Sequence, residues 1–402
     1  MQNVVYITQS GPSALVSFRR MLYNHKESTA DPGGRPMASL PSKIRTFPQD
    51  AVKERGFFYA GGSSYESGGK HYLENQMYVE VYVPQHLTKP YPLVLLHGAD
   101  QTGLCWMTTA QGGPGWTDFF LRQGYLVYVV DQPSRGRSCA HPEREGKRIV
   151  FSAEETAAVF TTREGAHPQA VLHTQWPGTG QPGDPIYDAF YAAQADSLYD
   201  IRETQEKVRA SGRALLETIG PAILVAHSQA GPFAWFLADD SPELVRGIVA
   251  IEPSGPPFVS AQTGELIQDK DGNPENYGIS HVPLTFDPPI SGPGELKLRR
   301  VPAPRTGLMD GYLQQEPARR LPNLARIPTL VLTSESSYHA PYDYWTAAFL
   351  QQAGVPAEYV NLADVGIRGN GHMMMLENNA SEIAAWLCRW LEEHVQSKAR
   401  QE

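Results

Sequence analysis

The sequence predicts an α/β fold built on a mostly parallel sheet, with antiparallel leading strands and two cap insertions. Three observations carry that reading. Short apolar runs alternate with stretches of helical spacing, as expected for strands buried on both faces between helices. Ahead of them come two candidate strands, Gly56–Gly62 and Gln76–Val83; the second alternates apolar and polar residues and stops at Pro84, as one strand of an antiparallel pair would. Finally, residues 139–195 and 254–320 are irregular and rich in Pro and Gly, and both leave from the C-terminal ends of strands. That edge is where open α/β sheets bind ligands, so the two segments read as a cap over a site.

Taken in order, residues 1–50 form an extension rich in Pro, Gly, Ser and Arg, and residues 51–402 form the main domain. Leu93–Leu96 is a buried strand running into His97-Gly98-Ala99-Asp100. A helix over Trp116–Gln123 ends at Gly124, and Tyr125–Val130 is a strand closing on Asp131. Leu198, Ile201, Val208, Leu215 and Ile219 share one face of a helix near 196–219, which Gly220-Pro221 stops. Ile223–Ala226 is the next buried strand, followed by His227-Ser228-Gln229 and a helix from Gly231. Val245–Ile251 delivers Glu252, and Thr329–Leu332 precedes a helix near 342–353 that Gly354 caps. The strand Glu358–Leu362 leads to a Gly-rich turn carrying His372. In the last helix, Ile383, Trp386, Leu387, Trp390 and Leu391 recur at helical spacing and read as core.

Composition narrows the function. The chain has 402 residues, a formal net charge of −9 and no long run of either sign, which argues against a nucleic-acid partner. No window approaches the ~20 apolar residues of a membrane span. Cys105, Cys139 and Cys388 are too few and too dispersed for a disulfide framework or a CxxC metal site, and no motif calls for a metal or other cofactor. Met1–Tyr23 has no unbroken apolar run of the kind a secretory leader needs, so the expectation is a soluble, cytoplasmic protein.

The chemistry centres on Ser228. A strand, a sharp turn with Ser at its apex and a helix make the nucleophile-elbow layout. Such a turn admits only small residues two before and two after the serine; here they are Ala226 and Ala230. A serine hydroxyl needs an adjacent base, and the base an orienting acid. Ser228, Glu252 and His372 follow in the order Ser, acid, His, each just after a predicted strand. The loop after Thr329–Leu332 offers two rival acids, Glu335 and Asp343. Oxyanion donors are expected from the backbone amide of Gln229 and from the loop after His97-Gly98, at Ala99 or Asp100, with Ala99 the first choice.

Together these segments resemble the bacterial and fungal α/β-hydrolases typified by esterase 713. The resemblance covers roughly residues 56–395. It rests on Gln76-Met-Tyr-Val79, Leu95-Leu-His-Gly98, Gly115-Trp116, Gly124-Tyr125, Asp131-Gln132 and Arg135-Gly-Arg-Ser138. Ala226-His-Ser-Gln-Ala-Gly231, Ile251-Glu-Pro253 and Gly369-Asn-Gly-His-Met-Met-Met375 complete it. It implies an α/β-hydrolase fold and hydrolysis of carboxylic esters, with a Glu acid on the strand after the elbow helix; here that residue is Glu252. Asp100 is a departure: a carboxylate turned into the oxyanion loop would oppose the charge that develops there, and the commoner orientation is toward solvent. The similarity extends to hydrolase-like proteins of fungal secondary-metabolite clusters, including cytochalasan pathways, where the fold is implicated in cyclisation or condensation. Three readings follow: a serine hydrolase of an ester or lactone, a biosynthetic enzyme on the same site, and a catalytically dead binding protein. The intact trio weighs against the last. The aromatic-rich cap suits a bulky, apolar small molecule.

Overall fold

The computed structural model describes Pro41, residues 44–138 and residues 140–396. The expected extension over residues 1–50 falls mostly outside the described residues, as does Cys139. The chain divides into Met1–Arg45 and Thr46–Glu402; in the first, the Ile44 N–H bonds the Pro41 carbonyl.

The second unit is organised by an eight-stranded sheet. Its strands are β1 Val52–Ser67, β2 Lys70–Pro84, β3 Leu93–Leu96, β4 Val127–Asp131, β5 Ala222–His227, β6 Val245–Ile251, β7 Thr329–Thr333 and β8 Ala357–Asn361. They lie in the order β1-β2-β4-β3-β5-β6-β7-β8. β2 runs antiparallel to β1 and β4, and every other pairing is parallel. Alternation decides the packing even where a strand is wholly apolar. Leu93, Leu95, Ile223 and Val225 enter one core. Val94, Leu96, Leu224 and Ala226 enter the core on the opposite face. The helices Trp116–Arg122 and Ala380–Leu391 supply the first core, and Ile201–Ile219 and Gly231–Asp240 the second.

Two elements exceed their sequence-based bounds. The leading strands run far past the stop expected at Gly61-Gly62 and join at Gly68-Gly69, whose φ values of 58° and 72° fit a tight hairpin turn. Gly61 is a passage, not an end: a Cβ there would stand 2.7 Å from the Ser211 backbone. The segment 139–195 holds two eight-residue helices, Ala153–Phe160 and Pro185–Ala192, too short for a clear periodic signal. Their caps were nonetheless written in the sequence. Ser152 and Glu155 form a reciprocal capping box, and the Asp184 carboxylate accepts the Ile186 N–H ahead of Pro185. Arg148–Ile149 pairs with Ser197–Leu198 and closes this segment at its base. Segment 254–320 contains one small ladder, Leu298–Val301 with Gly311–Gln314. The C-terminal ends of β3, β5, β6 and β7 carry His97, Ser228, Glu252 and Ser334 to one edge.

Candidate active site

Ser228 stands immediately after β5 with φ of +54°, a conformation that L residues adopt at a cost. Tight packing enforces it. Ala226 and Ala230 are fully buried, a Cβ on Gly231 would lie 2.3 Å from the Pro253 side chain, and the Ser228 carbonyl accepts the Ser254 N–H at 2.9 Å. The serine side chain stays half-buried at the apex.

Glu252 follows β6, also at positive φ (+46°), and is fully buried. Its Oε1 accepts the Ser334 N–H at 2.8 Å and the Ser334 hydroxyl at 2.5 Å. Oε2 accepts the Ser337 hydroxyl at 2.5 Å and meets His372 Nδ1 at 2.6 Å. Burial pulls the carboxyl upward, but the His372 hydrogen bond and charge, with His339 and Ser334 behind them, hold it down at about 2. His372 goes the other way from its usual value of 6.5: burial pushes it down and Glu252 only partly offsets that. The resting pair is a carboxylate and a neutral imidazole with its proton on Nδ1, which leaves Nε2 with a free lone pair. The rival acids are engaged elsewhere. Glu335 pairs with Arg368 and accepts the Gly369 N–H, and Asp343 binds His339.

The loop bearing His372 is clamped from three sides. His227, next to Ser228, donates Nε2–H to the His372 carbonyl at 2.9 Å; burial keeps that imidazole neutral, well below its ordinary pKa. The Glu377 carboxylate takes the Gly371 N–H at 2.9 Å, the Asn370 amide at 2.7 Å and His173 Nε2 at 2.7 Å. The Gly369 carbonyl accepts the N–H groups of Thr174 and Gln175. His173, Thr174 and Gln175 belong to the segment 139–195, so that segment holds the His372 loop directly.

Opposite the serine runs His97-Gly98-Ala99-Asp100. A Cβ on Gly98 would lie 2.8 Å from the Ser228 Cβ, so only glycine lets the two loops meet. The Gly98 carbonyl is gripped by His97 Nδ1–H at 2.9 Å and Arg135 Nη1 at 3.3 Å. Because the peptide is trans, the Ala99 N–H points the opposite way. Asp100 is no longer a candidate donor, since its N–H goes to the Ser197 hydroxyl at 3.0 Å. Nor does its carboxyl face solvent, as the sequence suggested: it is 5% exposed and accepts the Ser197 hydroxyl at 2.9 Å. Burial raises its pKa, against the opposing pull of Ser197 and the Arg135 guanidinium.

A second histidine–carboxylate pair escaped the sequence. His339 Nδ1 lies 2.8 Å from Asp343, whose other oxygen accepts the Thr333 hydroxyl at 2.7 Å. The His339 ring stacks on His372, with centroids 4.8 Å apart and planes within 12°. Glu252, His339 and His372 lie within 4.8 Å of one another, a spacing that could suit a metal ion. The stack argues otherwise, because near-parallel rings direct their lone pairs side by side and Glu252 already takes Nδ1 of His372. Ser334, Ser337, Tyr338, His339, Arg135, His173 and Glu377 had no periodic or motif signal apart from Arg135, which stood in the Arg135–Ser138 segment.

A family model described as the alpha/beta hydrolase family matches residues 93–386. The chain is 44% identical over 348 residues, 86% of its length and 91% of the relative's, to a protein of Fungal sp. (strain ATCC 74256) named probable secreted lipase phiG. Among solved structures it resembles one described as a novel bacterial esterase, with a TM-score of 0.60, 23% identity, and coverage of 87% of this chain and 99% of that one. The secreted relative corrects the expectation of a cytoplasmic protein and points outside the cell. That expectation leaned on sparse cysteines and an N-terminus without a long apolar run, neither of which reports directly on compartment. Among the described residues no helix is long and apolar enough to cross a membrane.

Proposed function

The chain belongs to the α/β-hydrolase family, and from that premise we propose that it is a secreted serine hydrolase cleaving a carboxylic ester or lactone through an acyl-enzyme on Ser228. The observation that carries this reading is the contact of 2.6 Å between Glu252 and His372 Nδ1, beside an elbow serine. Neutral His372 takes the Ser228 proton at Nε2 as Oγ attacks the carbonyl carbon. Glu252 fixes the tautomer and stabilises the imidazolium that forms. The amides of Ala99 and Gln229 serve the oxyanion. His372 then protonates the departing oxygen, and water repeats the sequence on the acyl-enzyme.

The lipase name of the fungal relative supports an ester with a large apolar portion. So does the aromatic wall around the base: Phe160 from the cap stacks on His372 at 5.2 Å. The test is covalent labelling. A fluorophosphonate should modify Ser228, as read by peptide mass spectrometry, and Ser228→Ala should lose both label and esterase turnover. Retained turnover in that variant would refute the reading.

A further inference from the structure

We propose that Ser197 is a positioning residue for the oxyanion site: its hydroxyl latches Asp100 in a left-handed backbone turn, and that turn aims the Ala99 amide. The inference rests on the serine-hydrolase reading above, in which the Ala99 amide receives the oxyanion. Ala99 stands between two residues that the fold holds from different sides. Ahead of it, the Gly98 carbonyl takes His97 Nδ1–H at 2.9 Å and Arg135 Nη1–H at 3.3 Å. Behind it, Asp100 is gripped by residues 195 and 197. Its N–H goes to Ser197 Oγ at 3.0 Å, its Oδ1 accepts the Ser197 hydroxyl proton at 2.9 Å, and its carbonyl accepts the Ala195 N–H at 2.9 Å. One residue further, Gln101 Nε2 donates to Gln194 Oε1 at 2.7 Å. Asp100 and Ser197 are 5% and 2% exposed, so water does not compete for the latch.

The backbone shows what the latch opposes. Asp100 stands at φ of +57°, where a residue with a Cβ sits at a cost. If it relaxed, rotation about its N–Cα bond would swing the Ala99 peptide relative to the rest of the loop. Ser197 bonds the N–H and the side chain of the same residue, which fixes that torsion directly. Ser197 is itself anchored in paired backbone, on the short strand Ser197–Leu198 beside Arg148–Ile149. A donor speeds acyl transfer only when it is already aimed at the place where charge develops. A loosely held Ala99 amide therefore forfeits turnover and not substrate binding.

Ser197→Ala removes the latch hydroxyl alone. The readout is kcat and KM on one ester, per active site titrated with a fluorophosphonate. Beside them stands Ki for a trifluoromethyl ketone, whose adduct with Ser228 carries an oxyanion. Losing one oxyanion donor outright costs about 10²–10³ in kcat, so a misaimed one is expected to cost about 10–100-fold. KM should change less than about 3-fold, and Ki should rise in step with the fall in kcat. A merely structural role would lower the melting temperature and the titrated fraction without moving Ki. Unchanged kcat, or a fall in kcat with Ki unchanged, would overturn the inference. Asp100→Gly and Asp100→Asn give a second reading that does not depend on Ser197→Ala folding. Both residues accept positive φ, and only Asn keeps an acceptor for the Ser197 hydroxyl. Asn should retain about 5-fold more kcat than Gly; equal values overturn the latch. Ser228→Ala in the same assay separates the two levels. If it keeps turnover, the serine mechanism fails; if it is inactive while Ser197→Ala matches the parent, only the role of Ser197 fails.

Discussion

His339 and His372 lie face to face, 4.8 Å between centroids, and each imidazole has its own carboxylate at Nδ1. The two pairs are tuned in opposite directions. Asp343 outweighs burial and raises His339, and Asp343 itself is raised to about 6, chiefly by burial. Burial lowers His372, and charge on His339 and His167 adds to that. The outer pair therefore holds a proton at a pH where the inner imidazole stays free to accept one.

The pH dependence follows. Only neutral His372 can take the serine proton, so kcat/KM should rise with pH through a midpoint below the ordinary 6.5. His339→Gln removes a neighbouring positive charge and should move that midpoint upward, toward 6.5. A pH–rate profile on a neutral ester checks both. A midpoint above 6.5 in the parent enzyme, or a downward shift in the variant, contradicts the assignment.

Glu252→Gln keeps shape and loses charge. In the Ser-His-Asp proteases the corresponding change costs about 10⁴ in turnover, and a loss of that order is expected here. Glu335→Gln should cost less than about 3-fold, because its Arg368 partner is exposed and the amide oxygen can still accept the Gly369 N–H. Asp343→Asn disturbs only the outer pair and should lose less than about one tenth as much as Glu252→Gln. Steady-state rates on one ester rank the three.

Gly98→Ala places a methyl 2.8 Å from the Ser228 Cβ and 3.1 Å from His227 Nδ1. The loop must retreat, taking the Ala99 amide with it. Turnover should fall by about 10²–10³, as when one oxyanion donor is lost, while the thermal melt changes little.

Glu377→Ala strips the Gly371 N–H, the Asn370 amide and His173 of a shared buried acceptor. Each buried group left unpaired costs about 1–3 kcal/mol, so denaturant unfolding should register a clear loss. Turnover should fall further than stability alone explains, because the His372 loop is no longer pinned. Activity measured well below the melting temperature separates the two effects.

Strands β3 to β7 were legible because they are short apolar runs between strong breakers. Ser228 and Glu252 stood out as candidates because each directly follows a strand, and His372 because it lies between the last strand and the last helix. The supports were not. Ser334 and Ser337 reach Glu252 across 82 and 85 positions, and His173 reaches Glu377 across 204; loop residues carry no period that announces such partners. The orientation of Asp100 stayed open for the same reason, since Ser197, its partner, is 97 positions away. The leading hairpin was underestimated because Gly61-Gly62 reads as a terminator when the neighbouring Ser211 is unknown.

The grip of residues 173–175 on the loop at 369–377 bears on the order in which the molecule matures. Those contacts close a span of about two hundred residues, and loop-closure entropy makes such long-range pairings late events in folding. The elbow turn is local and forms with its strand and helix, so Ser228 is set in its turn before the His372 loop is seated. A nascent chain with a finished sheet but an undocked cap therefore carries an inert serine. On the serine-hydrolase reading, the site is complete only once that docking step has been made.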